Sequence, residues 1–328
     1  MSSSNQPASS PSFVFGPVPS RRLGRSLGID LVPMKTCTYN CIYCQLGRTT
    51  HPTLERKPYI PEEPVIRQLE TKLATLSSAP DFITFSGSGE PTLNSRIGDF
   101  IAEVNRLTTV PVAVLTNGSL LHHEAVREAL QAADVVIPSL DAAHPSLFQL
   151  INRPHHSLSF SHVLQGLKKF RNEYAGEIWL EVMLCRGFND DEQHVEKLRS
   201  EIEKIAPNRV HLNTVVRPPA EEFAFPLTRE QMEKAVQILG GNAEILPPEC
   251  PSPAAKVHGP IDREVLLLLQ RRPCSLEDLS RAFGVPEKDM AAALRKLRDK
   301  GAVAYNVYNR TVFYKAGQKI GNNLSPGR

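Results

Sequence analysis

Between residues 26 and 240, short apolar runs alternate with longer stretches whose apolar positions recur every three or four residues. The runs at 26–32, 82–85, 112–115, 135–138, 178–184 and 210–216 are almost continuously apolar. Strands of a parallel sheet covered on both faces read this way. Helical spacing falls at 62–76, 95–107, 122–131, 159–172, 191–205 and 229–239. In the first of these, Val65, Ile66, Leu69, Leu73 and Leu76 share one face. Six strand-then-helix units predict an α/β fold with right-handed crossovers. The chain is short for eight such units, so a partial (βα)6, TIM-like barrel over residues 13–240 is expected.

The pattern changes after that. Residues 241–259 are rich in Gly, Pro and Ala and read as a linker. Within 260–316, helices are expected at 261–270, 276–283 and 287–300. Ser275, with Asp278 three residues on, is placed to cap the second helix. Gly301 sits where a helix end wants glycine. VAYNVY and TVFY around Asn309-Arg310 read as a hairpin. Three helices and a hairpin look like a small winged helix-turn-helix domain. Residues 1–12 and 317–328 read as tails, the first Ser/Pro-rich and expected to be disordered.

Composition adds two points. The 328 residues are 41% hydrophobic and 22% charged, ordinary for a globular protein. The longest strongly apolar run, 265–269, is far too short to span a bilayer, and the N-terminus has no apolar core of a signal peptide. A cytoplasmic location is expected. Second, residues 260–328 hold thirteen Lys and Arg against seven Asp and Glu, whereas the rest of the chain is net acidic. A basic end suggests a polyanionic partner.

The sharpest chemical signal is CTYNCIYC. Cys37, Cys41 and Cys44 place three thiols on the loop leaving the first strand. Structural zinc wants four ligands, usually as two pairs. His51 is nearby, but no second pair is evident. An iron–sulfur cubane held by three cysteines leaves one iron open for another ligand. Cys185, Cys250 and Cys274 are widely spaced; they read as small buried hydrophobes, with a second cluster as the alternative.

CTYNCIYC resembles the C-x3-C-x-aromatic-C signature of the radical S-adenosylmethionine (SAM) superfamily. The resemblance implies a [4Fe–4S] cluster on Cys37, Cys41 and Cys44, with SAM chelated at the open iron. One electron, from a donor such as flavodoxin or ferredoxin, would cleave SAM to methionine and a 5′-deoxyadenosyl radical that abstracts a substrate hydrogen. Tyr43 matches the aromatic position beside adenine. Gly87-Ser88-Gly89-Glu90 resembles the Gly-Gly-Glu motif. Gly87 and Gly89 would allow close backbone approach, and Glu90 would accept from the SAM ammonium. Asn117, Ser139 and Asp141, at the ends of the third and fourth strands, are implied SAM or substrate contacts; turn and cap roles are the local alternative.

Substrate candidates follow from side-chain chemistry. Arg153, after a short helix, and Arg217, after the sixth strand, could bind a carboxylate or phosphate. Arg21, Arg22 and Arg25 precede the first strand. Glu181, His211 and Asn213 alternate with apolar neighbours and could face the barrel interior, where buried polar groups need partners.

The 15–24 segment, with CTYNCIYCQLGRT, SGSGEPTLN and INRPH, is similar to the branch near the tRNA wyosine-base (4-demethylwyosine) synthases. Those enzymes carry three more cysteines upstream; here none precedes Cys37. The resemblance implies modification of an RNA nucleoside, with tRNA as partner. Lys288, Arg295, Lys296, Arg298, Lys300 and Arg310, interleaved with Tyr305, Tyr308 and Tyr314, would supply phosphate and base contacts. The alternatives are radical SAM chemistry on a peptide, protein or small metabolite, and a non-catalytic iron–sulfur regulator that binds DNA.

Overall fold

The computed structural model describes residues 11–247 and 260–317. Most of the N-terminal tail, the linker from 248 on with Cys250, and the C-terminal tail from 318 lie outside the described residues.

One sheet organises the larger part. Its strands are β1 (Val14–Ser20), β2 (Gly24–Ile29), β3 (Phe82–Phe85), β4 (Val112–Thr116), β5 (Val135–Pro138), β6 (Glu177–Leu184), β7 (Arg209–Thr214) and β8 (Ala243–Ile245), in that spatial order. β2 to β7 are the six expected strands, all parallel to one another. The helices are α1 (Glu62–Thr75), α2 (Ile97–Leu107), α3 (Glu124–Ala129), α4 (Pro145–Ile151), α5 (Phe160–Glu173), α6 (Glu192–Ile205) and α7 (Arg229–Leu239). Their starts are written locally. Ser159 and Asp191 accept from His162 and His194 backbone N–H groups, and Thr228 with Gln231 closes a capping box. Their apolar stripes meet the outer face of the sheet in one large core that includes Phe85, Phe100 and Phe170.

Two strands extend the expected six. β1 runs antiparallel to β2. It carries Phe15 directly over Gly28, where a Cβ would come within 2.1 Å of the ring. β8 lies in the stretch expected to be linker, and pairs parallel with β7. Its three residues are too few to show a period. The sheet begins at β1 and ends at β8 without the two pairing, so it is a barrel open on one side.

Residues 260–316 form α8 (Ile261–Leu269), β9 (Cys274–Ser275), α9 (Leu276–Phe283), α10 (Glu287–Asp299), β10 (Val303–Tyr308) and β11 (Thr311–Ala316). The three strands make a sheet in the order β9–β11–β10. Asn309 and Arg310 both have positive φ, the mirror-image turn that suits a two-residue hairpin.

This unit does not stand apart. Its core of Val265, Leu268, Met290 and Leu294 is continuous with Phe15 and Val18 of β1. Burying each such side chain stabilises by roughly 1.5–3 kcal/mol. On the other edge of the opening, the Tyr308 hydroxyl donates to the carbonyls of Val215 and Ala224 at 3.4 and 3.3 Å. Arg217 faces Asp278 of α9 at 3.7 Å. The C-terminal unit thus spans the open side of the barrel.

Candidate active site

A cavity of about 410 Å3 occupies the barrel. Cys37, Cys41 and Cys44 line one end, and Arg21, Arg22, Arg217, Arg271 and Arg272 line the rest with Glu181 and Asn213.

At the cysteine end, the loop after β2 is held by backbone contacts to the loop after β3. Lys35 donates to the Ser88 carbonyl at 2.8 Å, and Glu90 donates to the Thr36 carbonyl at 3.1 Å. The two chains run so close that a Cβ on Gly89 would sit 1.8 Å from that oxygen. Gly87, at φ +134°, lies against Asp30, and any side chain there would be strained. Ser88, in place of a second adjacent glycine, has a use. Its hydroxyl and backbone N–H both donate to Asp30.

The thiols are half-buried. Burial pushes Cys37 up to about 12, and pushes Cys41 and Cys44 upward as well. Thiolates persist in such surroundings when a metal takes the place of the proton. Donors are already aimed at the sulfurs. Asn117 Nδ2 lies 3.6 Å from Cys37 Sγ, and Asn152 Nδ2 lies 3.7 Å from Cys41 Sγ. Backbone N–H groups of Thr38 and Tyr39 face Cys37, and that of Leu46 faces Cys44. Three sulfurs on one cavity wall with amide donors behind them fit an iron–sulfur cluster, whose thiolates take such hydrogen bonds. Among the described residues, no three Cys, His, Asp or Glu side chains gather as ligands of a single ion, and His51 is exposed.

Several expected contacts lie one layer behind the cavity. Glu90 is 2% exposed, and both its oxygens are occupied. It accepts from Thr92 N and Oγ1, Thr116 Oγ1 and Asn117 N at 2.6–3.1 Å. Burial raises it, and these donors oppose the rise. Within the chain, Glu90 ties the β3 loop to the end of β4. Asn117 likewise faces inward, donating to Thr38 Oγ1 at 2.7 Å. Asp141 accepts from the Tyr43 hydroxyl, from Asn152 Nδ2 at 2.6 Å and from Met183 N at 2.9 Å. Burial raises it to about 6. Tyr43, Ser139, Gly87 and Gly89 do line the cavity.

The substrate candidates divide too. Arg153 turns away from the cavity and pairs with Glu221 at 2.6 Å, beside Arg48 at 2.9 Å. His211 lies below it, against Trp179 and 3.2 Å from Glu244. Glu181, Asn213 and Arg217 line it. Burial acts to raise Glu181, but Arg22 at 2.7 Å and Asn213 at 2.8 Å lower it overall. Arg271 and Arg272 have no local signal in the sequence. They follow α8, nearly sixty residues beyond β7, and only the packing of the C-terminal unit on β1 brings them here.

A polar chain links the two ends. Ser88 bonds Asp30, and Asp30 lies 3.3 Å from Arg271 Nε. Arg271 also donates to the carbonyls of Leu267 and Ser12, and stacks 4.6 Å from the Phe15 ring centre.

The sequence model described as the Radical SAM superfamily matches residues 31–198. The chain is 37% identical to a UPF0026 protein of Methanocaldococcus jannaschii, over 69% of this chain and 70% of that one. It is 38% identical to a Brachyspira hyodysenteriae protein named GTPase Obg, over 92% of this chain but only 45% of that protein. Among solved structures, a radical SAM methyltransferase from Sphaerobacter thermophilus shares the fold, with a TM-score of 0.51, 17% identity and coverage of 67% and 65%. The chain belongs to the radical SAM superfamily, among the UPF0026 proteins. It is a radical SAM enzyme, with a [4Fe–4S] cluster and SAM as its cofactors. No helix among the described residues is long and apolar enough to cross a membrane.

Proposed function

We propose that Cys37, Cys41 and Cys44 are the cluster's protein ligands, and that Tyr43, Gly87, Gly89 and Ser139 form the wall that receives SAM. We read the substrate as a phosphate-bearing nucleoside, in the first instance within RNA as in the wyosine synthases. Residues 260–316 act as a winged helix-turn-helix. The observation that carries this reading is one cavity joining three thiols to five guanidiniums. When bound and reduced, the cluster and SAM supply a carbon-centred radical that takes hydrogen from the substrate.

The protein's own groups then have distinct tasks. Asn117 and Asn152 donate N–H groups toward the cysteine sulfurs and so stabilise negative charge there. Asp141 fixes the Tyr43 hydroxyl and hence the ring at the cavity wall. The C-terminal unit covers the open side, which excludes water from a reactive intermediate. Arginines hold the substrate by its phosphate. Tyr305, 52% exposed, and Lys300 and Arg310 face solvent, where RNA would lie.

A second reading has support of its own. Tyr308 is engaged with the barrel backbone, and Glu264 of α8 pairs with Lys72 of α1 at 2.8 Å. A unit so committed to its own barrel suits a small anionic metabolite that enters the cavity. The test is anaerobic formation of 5′-deoxyadenosine by reconstituted, reduced protein, with and without cellular RNA. Stimulation lost on ribonuclease treatment supports RNA; stimulation by a low-molecular-weight extract alone supports the metabolite and sinks the RNA reading.

A further inference from the structure

The five cavity arginines are not equally neutralised. Arg22 is paired with Glu181, and Arg271 lies against Asp30. The other three have weak partners. Arg21 donates to Asn213 Oδ1 at 2.9 Å, a neutral acceptor. Among the described residues, Arg272 reaches only the Pro19 carbonyl, at 3.4 Å. Arg217 stands 3.7 Å from Asp278, and its side chain is 15% exposed. Among the described residues, the Nε atoms of Arg217 and Arg272 are buried with no hydrogen-bond partner, as are those of Arg22 and Arg271.

This is an unusual arrangement for guanidiniums, which stay protonated inside proteins. A buried cation without a counter-charge is costly. Burial and the neighbouring Arg217 and Arg22 push Arg21 down to about 10. Burial, and then Arg272, push Arg217 down. Each member thus raises the energy of the others, and a dianion between them relieves both the repulsion and the unpaired N–H groups. Guanidinium forks match phosphate oxygens two at a time.

We propose that Arg21, Arg217 and Arg272 form a phosphate subsite of the substrate cavity, and that the C-terminal unit, through Arg272, is a part of the active-site wall. The substrate class rests on the nucleotide reading above; the position of the subsite rests on the arginines alone. The C-terminal unit then acts in substrate recognition from inside the cavity, in addition to any contact its outer face makes with RNA. Arg21 comes from the β1–β2 turn, Arg217 from beyond β7 and Arg272 from beyond α8. The subsite therefore exists only when the unit is docked across the opening.

The test uses full-length, cluster-loaded protein, with pyrophosphate as the probe and calorimetric titration as the readout. Wild type should bind pyrophosphate. Arg272→Gln and Arg217→Gln should each weaken it at least tenfold, while Arg67→Gln, on the outer face of α1, should leave it unchanged. Unaltered binding by both cavity variants, or no binding by wild type, overturns the subsite. Citrate binding tighter than pyrophosphate overturns the phosphate assignment in favour of a carboxylate. If Arg272→Gln does not fold, Arg21→Gln and Arg217→Gln carry the same test. Wild type that binds pyrophosphate through these arginines but forms no 5′-deoxyadenosine would leave the subsite standing and remove the functional reading.

Discussion

The two ends of the cavity are built on opposite plans. At the cysteine end, all three thiols come from eight consecutive residues, and the two carboxylates behind them, Glu90 and Asp141, are saturated. Glu90 takes four hydrogen bonds and Asp141 takes three. At the arginine end, the charged groups come from three distant segments, and Arg21, Arg217 and Arg272 are left short of partners. Saturation makes a rigid frame that holds its geometry before any cofactor arrives. Unsatisfied charge makes a site whose energy falls when a ligand arrives. The contrast separates groups that position from groups that bind.

The contrast can be broken most directly at the thiols. Cys37→Ala should abolish 5′-deoxyadenosine formation and lower bound iron in the purified protein; full activity in that variant would refute the ligand assignment. The next largest effect is expected at the frame. Glu90→Gln replaces an acceptor oxygen by a donor among Thr92, Thr116 and Asn117, and should cost about 2 kcal/mol. Urea unfolding of the full chain measures it, and an unchanged midpoint would show that Glu90 is not a tie.

Glu181 sharpens the comparison from the arginine side. Its folded pKa lies below the ordinary value because Arg22, Asn213, Arg21 and His211 together outweigh burial. Its ionised form therefore adds stability above about pH 4.3, and that stability is lost as the pH falls through the lowered folded value. Glu181→Gln should flatten the fall in unfolding free energy on acidification in that window; an unchanged slope would show that the Arg22 pair is not coupled to folding. The smallest effect is expected for Tyr308→Phe, which removes two long hydrogen bonds across the barrel opening. It should cost about 0.5–1 kcal/mol and speed proteolysis of the C-terminal unit, with the barrel unaffected.

Much of the frame was legible from local pattern. The six parallel strands and their helices followed from alternating apolar runs, because each strand is buried on both faces and each helix on one. The hairpin turn at Asn309-Arg310 and the cap at Ser275 were legible for the same reason: a few adjacent residues decide them. β1 was not, because its pairing with β2 depends on Phe15 meeting Gly28, a match between two segments. β8 is a three-residue edge that its neighbour β7 specifies.

The site shows the same division. Cys37, Cys41 and Cys44 needed no fold to be noticed, since a cluster-binding loop is written in contiguous spacing. The roles of Glu90, Asn117, Asp141 and Arg153 could not be read that way. A polar side chain at a strand end can face the cavity or the layer behind it, and the choice rests on neighbours such as Thr116, Thr38, Tyr43 and Glu221. Arg271 and Arg272 are the extreme case. Chain order puts them in another unit, and hydrophobic burial of Phe15 and Val18 against α8 carries them to the cavity. Contiguous spacing encoded the thiols; long-range packing decided which charges face them.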